Sequence, residues 1–213
     1  MAKLYFRYGA MNSGKSTGLL QAAFNYEERG QRVLLAKPAV DTKGDAAVVS
    51  RLGVTRAVDF LVPAGADVLA LFRAHAAGDD PDALVDHVDA PPVACLLVDE
   101  AQFLEAGQVD DLLRIAVLED VPVMAYGLRT DFRTHSFPGS ARLLELAHSL
   151  EELKTICRCG RKAVLNTRKV VDAATGRSRF VFEGDQVAID GVEVTYESLC
   201  AACYLEESGG RFG

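Results

Sequence analysis

Long hydrophobic runs are absent from this chain of 213 residues, and so is any excess of positive charge. No stretch of about 18 apolar residues occurs, so no membrane-spanning helix is expected. The opening residues MAKLYFRYG lack the apolar region and the cleavage site of a secretory signal, which predicts a cytoplasmic location. The net charge of −7 disfavours broad binding to nucleic acids or to anionic membranes.

Cysteine is sparse, and there is no internal repeat and no low-complexity segment. In a cytoplasmic protein, five cysteines are expected to be thiols or metal ligands rather than disulfides. Apolar residues make up 49% of the chain and charged residues 25%, the balance of a soluble globular protein. The length suits one domain of ordinary size with a small appendage.

Short apolar segments alternate with segments of helical periodicity through most of the chain. Strands are predicted at residues 3–8, 32–36, 93–98 and 121–127. Helices are predicted from Leu19 to a stop at Gly30, from Val68 to Gly78, and over 109–117 and 141–150. Residues 39–58 are predicted to be a loop, and 79–92 a connection. This alternation indicates an α/β fold with a parallel sheet covered by helices on both faces.

The pattern changes near residue 153. The later runs RFVFEG and VEVTYE alternate like strands and suggest hairpins, and four of the five cysteines lie in this part. The sequence therefore predicts an α/β domain over 1–153 and a small β-rich domain over 154–213.

Residues 9–16, GAMNSGKS, fit the phosphate-binding pattern G-x-x-x-x-G-K-[ST] between a predicted strand and a predicted helix. Glycines permit the tight turns that point backbone N–H groups at polyphosphate, and the following helix directs its positive end there. Lys15 is expected to reach the outer phosphates and Ser16 to bind magnesium. The pattern predicts an ATP site formed by Gly9, Ala10, Met11, Asn12, Ser13, Gly14, Lys15 and Ser16.

In the segment ACLLVDEAQF, residues 94–103, two acids directly follow a buried apolar run that ends at Val98. Asp99 is expected to hold magnesium together with Ser16, and Ala101 and Gln102 to lie in the ATP site. On an extended chain Glu100 would point to the opposite side and be free for another task. It would orient water in an ATPase or accept a proton from a hydroxyl in a kinase, while the alternative is an exposed acid with no chemistry.

The pairs C-x-C and C-x-x-C lie 40 residues apart near the end of the chain and consist of Cys157, Cys159, Cys200 and Cys203. Four thiolates suit a tetrahedral structural zinc ion, although the first pair is shorter than the common spacing. The alternative is free thiols or a disulfide formed on isolation. Cys95 lies within a buried strand run and is expected to be a small core residue.

The ordered set GAMNSGKS, Lys37-Pro38, DEAQF and ICRCG…CAAC resembles the type II thymidine kinases over about residues 1–205. The resemblance implies transfer of the γ-phosphoryl group of ATP to the 5′-hydroxyl of thymidine, and acceptance of deoxyuridine is left open. Glu100 would then be the catalytic base, assisted by Mg²⁺. The family also implies a homotetramer inhibited by thymidine triphosphate, and a role in nucleotide salvage.

The resemblance also implies a thymidine site. Met11 would contact the thymine methyl, Gln102 would lie near the nucleoside, and Phe132 would pack on the base or belong to the core. Asp41 and Lys43 correspond to the family's mobile loop, where an arginine is usual in place of the lysine. A loop before the last cysteine pair would cover the base mainly with backbone groups: Val187, Ala188, Ile189, Asp190, Gly191, Val192 and Tyr196.

Two other classes of function share some of these features. A nucleotide-driven motor or switch would use the same loop and acids to hydrolyse ATP or GTP and move a partner, but this acidic chain shows no extra interaction segment of the kind such proteins carry. A zinc-ribbon binding module with a vestigial nucleotide site would not need Lys15, Ser16, Asp99 and Glu100 to be intact.

Overall fold

The computed structural model describes residues 1–41, 46–78, 91–171, 178–184 and 194–212. The strands are β1 (Leu4–Gly9), β2 (Arg32–Pro38), β3 (Ala47–Val49), β4 (Thr55–Ala57), β5 (Phe60–Val62), β6 (Val93–Val98), β7 (Val123–Leu128), β8 (Ser149–Leu153), β9 (Thr155–Ile156), β10 (Lys162–Ala163), β11 (Leu165–Val171), β12 (Ser178–Val181) and β13 (Val194–Leu199). The helices are α1 (Lys15–Glu27), α2 (Val68–Ala77), α3 (Ala106–Leu118), α4 (Pro138–Leu146) and α5 (Ala201–Glu207).

The main sheet has the order β5-β2-β6-β7-β1-β8, with its neighbouring strands parallel. Successive residues of β2 face opposite sides, which separates two apolar clusters. Leu34 packs with α2, α3 and α4 on one side, whereas Leu35 packs with α1 on the other. The predicted parallel sheet with helices on both faces is therefore confirmed.

The topology brings three strand ends to one site. β7 lies between β1 and β6, so the carboxyl ends of these three strands are adjacent at one edge of the sheet. The phosphate-binding loop follows β1, the two acids follow β6, and Leu128 ends β7. Ligands of open α/β sheets bind at this edge.

Two sequence predictions in this domain were wrong in part. Within 39–58, β3 and β4 form an antiparallel hairpin. Just after this range, β5 extends the sheet beside β2. The last helix ends at Leu146 instead of residue 150, because Ser149–Leu153 pairs in parallel with β1. Strands of three residues carry too little periodicity to be recognised, and SLEEL has the composition of a helix but gains sheet pairing from distant residues.

The last part of the chain forms smaller antiparallel sheets, as expected of a β-rich module with four clustered cysteines. The two alternating runs do not pair with each other as a hairpin, because both β12 and β13 pair with β11 between them. Since β8 ends at Leu153 and β9 begins at Thr155, we propose to divide the chain into domains at residue 153. Among the described residues, no helix has the length and apolar character needed to cross a membrane.

Candidate active site

The phosphate-binding loop connects β1 to α1. Asn12 and Gly14 have φ angles of 66° and 79°, in the left-handed region that glycine adopts without strain. The Lys15 side chain is buried, and its Nζ donates to the carbonyl oxygen of Ala10 at 3.1 Å. The loop thus sets a lysine and the N-terminus of a 13-residue helix at one anion-binding position.

Asp99 lies beneath this loop and is 5% exposed. The hydroxyl of Ser16 donates to its Oδ2 at 3.3 Å, while its buried Oδ1 has no hydrogen-bond partner among the residues the structure describes. Burial first, and the charge of Glu100 second, raise the pKa of Asp99 to about 7. A carboxylate with an unsatisfied oxygen beside a serine hydroxyl fits Mg²⁺, whose charge would stabilise the ionised form.

Glu100 does not follow the alternation of an extended strand that the sequence reasoning assumed. Its φ and ψ are 46° and 37°, so the chain turns sharply after Asp99 into a one-turn 3-10 helix over Ala101–Phe103. The turn directs the Glu100 side chain to the cavity described below, while Asp99 stays beneath the loop. The sharp turn, rather than strand geometry, separates the two carboxylates.

Gln102 fixes the Glu100 carboxylate. Its Nε2 donates to Oε2 of Glu100 at 2.6 Å, and its Oε1 accepts from the backbone N–H of Leu128 at 3.0 Å. A Cβ at Gly127 would lie 2.8 Å from Gln102 Oε1, so a larger residue there would displace the Gln102 side chain. The sequence placed Gln102 near the ligands, but it did not reveal this contact with Glu100.

A cavity of about 750 Å³ opens at this edge of the sheet. The structure brings together nine of the predicted site residues along its wall: Met11, Asn12, Gly14, Lys15, Ser16, Glu100, Gln102, Phe132 and Tyr196. The predicted residues Val187, Ala188, Ile189, Asp190, Gly191 and Val192, and Lys43, lie outside the described residues. The volume is within the ordinary range of small-molecule sites.

Sequence reasoning missed several lining residues. Val49, Arg51 and Leu52 belong to β3 and its turn, which were predicted to be loop. Asn166 carries no recognisable motif and reaches the wall through β11. Asp41 lines the cavity as well, and its carboxylate is 3.0 Å from the buried Nζ of Lys37, an ion pair that ties together two of the residues singled out from the family pattern.

Phe132 is buried and also contributes to the cavity wall. Packing on the base and membership of the core, the two alternatives for this residue, are therefore compatible. The guanidinium carbon of Arg168 lies 3.8 Å from its ring centroid, and the hydroxyl of Tyr204 donates to its carbonyl oxygen at 3.1 Å. A cation over the ring face is favourable and keeps the ring in one orientation. Arg168 carries no motif, so its contact with Phe132 could not be predicted from the sequence.

Met11 is held by its backbone. Its N–H donates to Oδ1 of Asn166 at 2.7 Å, so this N–H is not directed at a phosphate. Met11 also lines the cavity, and its binding of ATP and thymidine stays a prediction.

The four paired cysteines form a cluster whose Sγ atoms all lie within 4.8 Å of one another. The Sγ atoms of Cys159 and Cys200 are 3.6 Å apart, close to the ~3.8 Å separation that a tetrahedron of Zn–S bonds requires. The Cys203 backbone N–H lowers the pKa of Cys200 to about 6, which favours the thiolate. The cluster fits a metal ion such as zinc. Cys95 is buried in the α1-side core, and burial raises its thiol pKa to about 12.

Comparison with known proteins shows the family of this chain. A family model described as "Thymidine kinase" matches residues 2–204. The thymidine kinase of Ruegeria pomeroyi is 47% identical over 210 residues, covering 98% of this chain and 96% of that protein. Those of Chromobacterium violaceum and Idiomarina loihiensis are 47% and 46% identical, covering 96% and 99% of this chain and 98% and 100% of their own lengths. The chain therefore belongs to the thymidine kinase family, the ATP-dependent nucleoside kinases that convert thymidine to thymidine monophosphate.

Proposed function

We propose that this kinase binds ATP and thymidine together in the 750 Å³ cavity. Glu100 is then the base that accepts the proton of the 5′-hydroxyl of thymidine. The observation that carries the assignment is the fixed Glu100 carboxylate, which Gln102 holds at the wall shared with the phosphate-binding loop. A general base must lie within reach of the proton it removes and must keep its orientation.

The phosphates of ATP bind at the loop. Backbone N–H groups of the Gly9–Ser16 segment surround the anion, and Lys15 supplies positive charge at the outer phosphates. Ser16 and Asp99 would hold magnesium, which would supply positive charge to neutralise the transferring group. Ala101 follows Glu100 but is fully buried in the apolar core and does not line the cavity.

The transfer then needs little rearrangement of the protein. Glu100 accepts the proton as the 5′-oxygen of thymidine forms its bond to the γ-phosphorus. The bond from that phosphorus to the β,γ-bridging oxygen breaks, and ADP leaves with both electrons of that bond. Lys15 stabilises the negative charge that develops on the transferring phosphoryl group and on the departing ADP.

Thymidine occupies the remaining part of the cavity. Phe132 offers its ring to the base, Met11 packs against the thymine methyl, and Tyr196 closes the far side. The Val187–Val192 segment, which the family resemblance assigns to the base, lies outside the described residues. Gln102 acts mainly through Glu100. Deoxyuridine fits the same site but lacks the methyl, so it binds less tightly.

Zinc in the cysteine cluster is structural in this proposal, because four protein ligands leave no open position for chemistry. A cytoplasmic homotetramer that supplies thymidine monophosphate for DNA synthesis, and that thymidine triphosphate inhibits, belongs to the same proposal. These last features rest on the family alone.

Labelled ATP tests the proposal directly. The protein is incubated with γ-labelled ATP, magnesium and a panel of nucleosides. Label on thymidine, and more weakly on deoxyuridine, is the expected result. Label only on free phosphate would indicate an ATPase, and no turnover would indicate a binding module.

Gln102→Met tests how Glu100 is held. The substitution keeps the side-chain length but removes both hydrogen bonds, and we expect the turnover number to fall about tenfold, the worth of a charge-assisted hydrogen bond. The KM for ATP should change little, because no proposed phosphate contact is lost. Steady-state kinetics on both substrates provide the measurement.

Gln108→Met is the matched control. Gln108 is a buried glutamine whose Nε2 donates to the carbonyl oxygen of Pro63 at 2.7 Å, and it does not line the cavity. The Gln108→Met variant should have a lower melting temperature without a comparable loss of turnover. An equal loss of turnover in both variants would refute a specific role for Gln102.

Cys200→Ser tests the metal site. We expect the zinc content of freshly purified, reduced protein to fall from about one ion per chain to well below it. The thymidine KM should rise more than the ATP KM, because Tyr196 and Asn166 lie in the same module as the cluster. Cys95→Ala should keep its zinc, because Cys95 lies in the other domain. Full activity of wild-type protein with far less than one zinc per chain would rule the metal out.

A further inference from the structure

Both backbone groups of Met11 are bound by one cross-strand pair. Asn166 and Ser198 are register partners in the antiparallel pairing of β11 with β13. Asn166 Oδ1 accepts from the N–H of Met11 at 2.7 Å, and Ser198 Oγ donates to its carbonyl oxygen at 2.5 Å. Both side chains are buried. We call this pair the Met11 clamp.

The clamp also reaches the opposite wall of the cavity. Asn166 Nδ2 donates to the carbonyl oxygen of Thr130 at 2.9 Å, two residues before Phe132. One amide therefore fixes the separation between the Met11 and Phe132 segments, which line the cavity from different strand ends. A planar amide with one donor and one acceptor in use has little freedom to reorient.

A backbone held in this way determines where its side chain lies. The clamp takes the Met11 N–H out of phosphate binding and also engages the Met11 C=O, although the residue belongs to the phosphate-binding loop. Removing either partner would leave a backbone group of Met11 without its hydrogen bond, so the segment would shift to recover one. Since Met11 carries the longest apolar side chain of the loop, the shift would move the wall that faces the nucleoside.

We infer that Asn166 and Ser198 are positioning residues that set Met11 against the base and so determine selectivity for the methyl group of thymidine. The inference rests on the proposed role of Met11. It assigns selectivity to two residues of the second domain that do not themselves need to contact the methyl. A methyl group in an apolar pocket is worth about 10- to 200-fold in discrimination, so a displaced wall is measurable.

Ser198→Ala is the principal test, since it removes one hydrogen bond and adds no bulk. We expect the KM for thymidine to rise about 5- to 10-fold and the thymidine-to-deoxyuridine ratio of kcat/KM to fall about 5-fold. The KM for ATP should stay within about 2-fold. Ser198→Thr keeps the hydroxyl and suits a strand, so it should restore the ratio.

Thr167→Val supplies a matched control. Thr167 neighbours Asn166 on β11, is fully buried, and donates its hydroxyl to the carbonyl oxygen of Glu197 at 2.8 Å. It alternates to the other face of the sheet from the clamp. The control should lower the melting temperature as Ser198→Ala does, while leaving the substrate ratio unchanged.

An unchanged ratio in Ser198→Ala, or a rise in the ATP KM as large as that for thymidine, would overturn the inference. The variant Met11→Ala distinguishes failure of the clamp inference from failure of the proposed thymidine site. If Met11→Ala lowers the ratio and Ser198→Ala does not, the clamp has no role in selectivity but Met11 keeps its place. If Met11→Ala leaves the ratio unchanged, the assignment of Met11 to the methyl is wrong, and the inference falls with it.

Discussion

Glu100→Gln will slow phosphoryl transfer to thymidine about 100-fold or more, because the amide cannot accept the proton of the 5′-hydroxyl. The substitution is nearly isosteric, and a carbonyl oxygen at position 100 can still accept the hydrogen bond that Gln102 donates at 2.6 Å. Binding of ATP and thymidine should therefore persist. Single-turnover measurements, in which chemistry limits the rate, give the relevant comparison.

Two further variants show whether this loss is specific to the base. Asp99→Asn should raise the magnesium concentration needed for activity, since it weakens the proposed metal ligand beside Ser16. Glu105→Gln alters an acid that lies outside the cavity wall and caps α3, so it should leave the transfer rate unchanged. Near-normal single-turnover rates in Glu100→Gln would show that another group, or none, receives the proton.

The sequence predicted the parts of the fold that have strong local signals. The buried run VACLLV forms β6, and the helix predicted around Leu112 and Ile115 exists with a capping box formed by Glu105 and Gln108. The phosphate-binding loop was recognisable because its chemistry requires particular residues at fixed spacing. The paired cysteines likewise predicted a cluster that folding brings together.

The remaining features depend on contacts that no local pattern records. β8 becomes a strand because β1 offers an unpaired edge, and the turn at Glu100 follows from packing at the end of β6. Asn166 lies 155 residues from Met11 along the chain, and Ser198 lies 187 residues away. A single asparagine or serine in a strand has no signature of its partner, so three-dimensional structure was needed to find the clamp.

Lys15→Met should reduce turnover about 100- to 1,000-fold, the usual cost of removing one preorganised group that stabilises transition-state charge. The side chain is buried, with its Nζ 3.1 Å from the carbonyl oxygen of Ala10, so methionine fills similar space without the charge. ATP binding should weaken strongly, because ATP carries the negative charge that Lys15 meets. Thymidine is neutral, and its binding should change little.

Isothermal titration with each ligand alone measures the binding of ATP and of thymidine separately. The control variant Lys3→Met removes one positive charge at an exposed position just before β1. The charge of Lys15 also lowers the pKa of Asp99, against the larger effect of burial that raises it. Its removal should therefore increase the magnesium concentration needed for residual activity, because Asp99 ionises less readily. Equal weakening of ATP and thymidine would instead mean that Lys15 supports the whole cavity rather than the phosphates, and the placement of ATP would have to change.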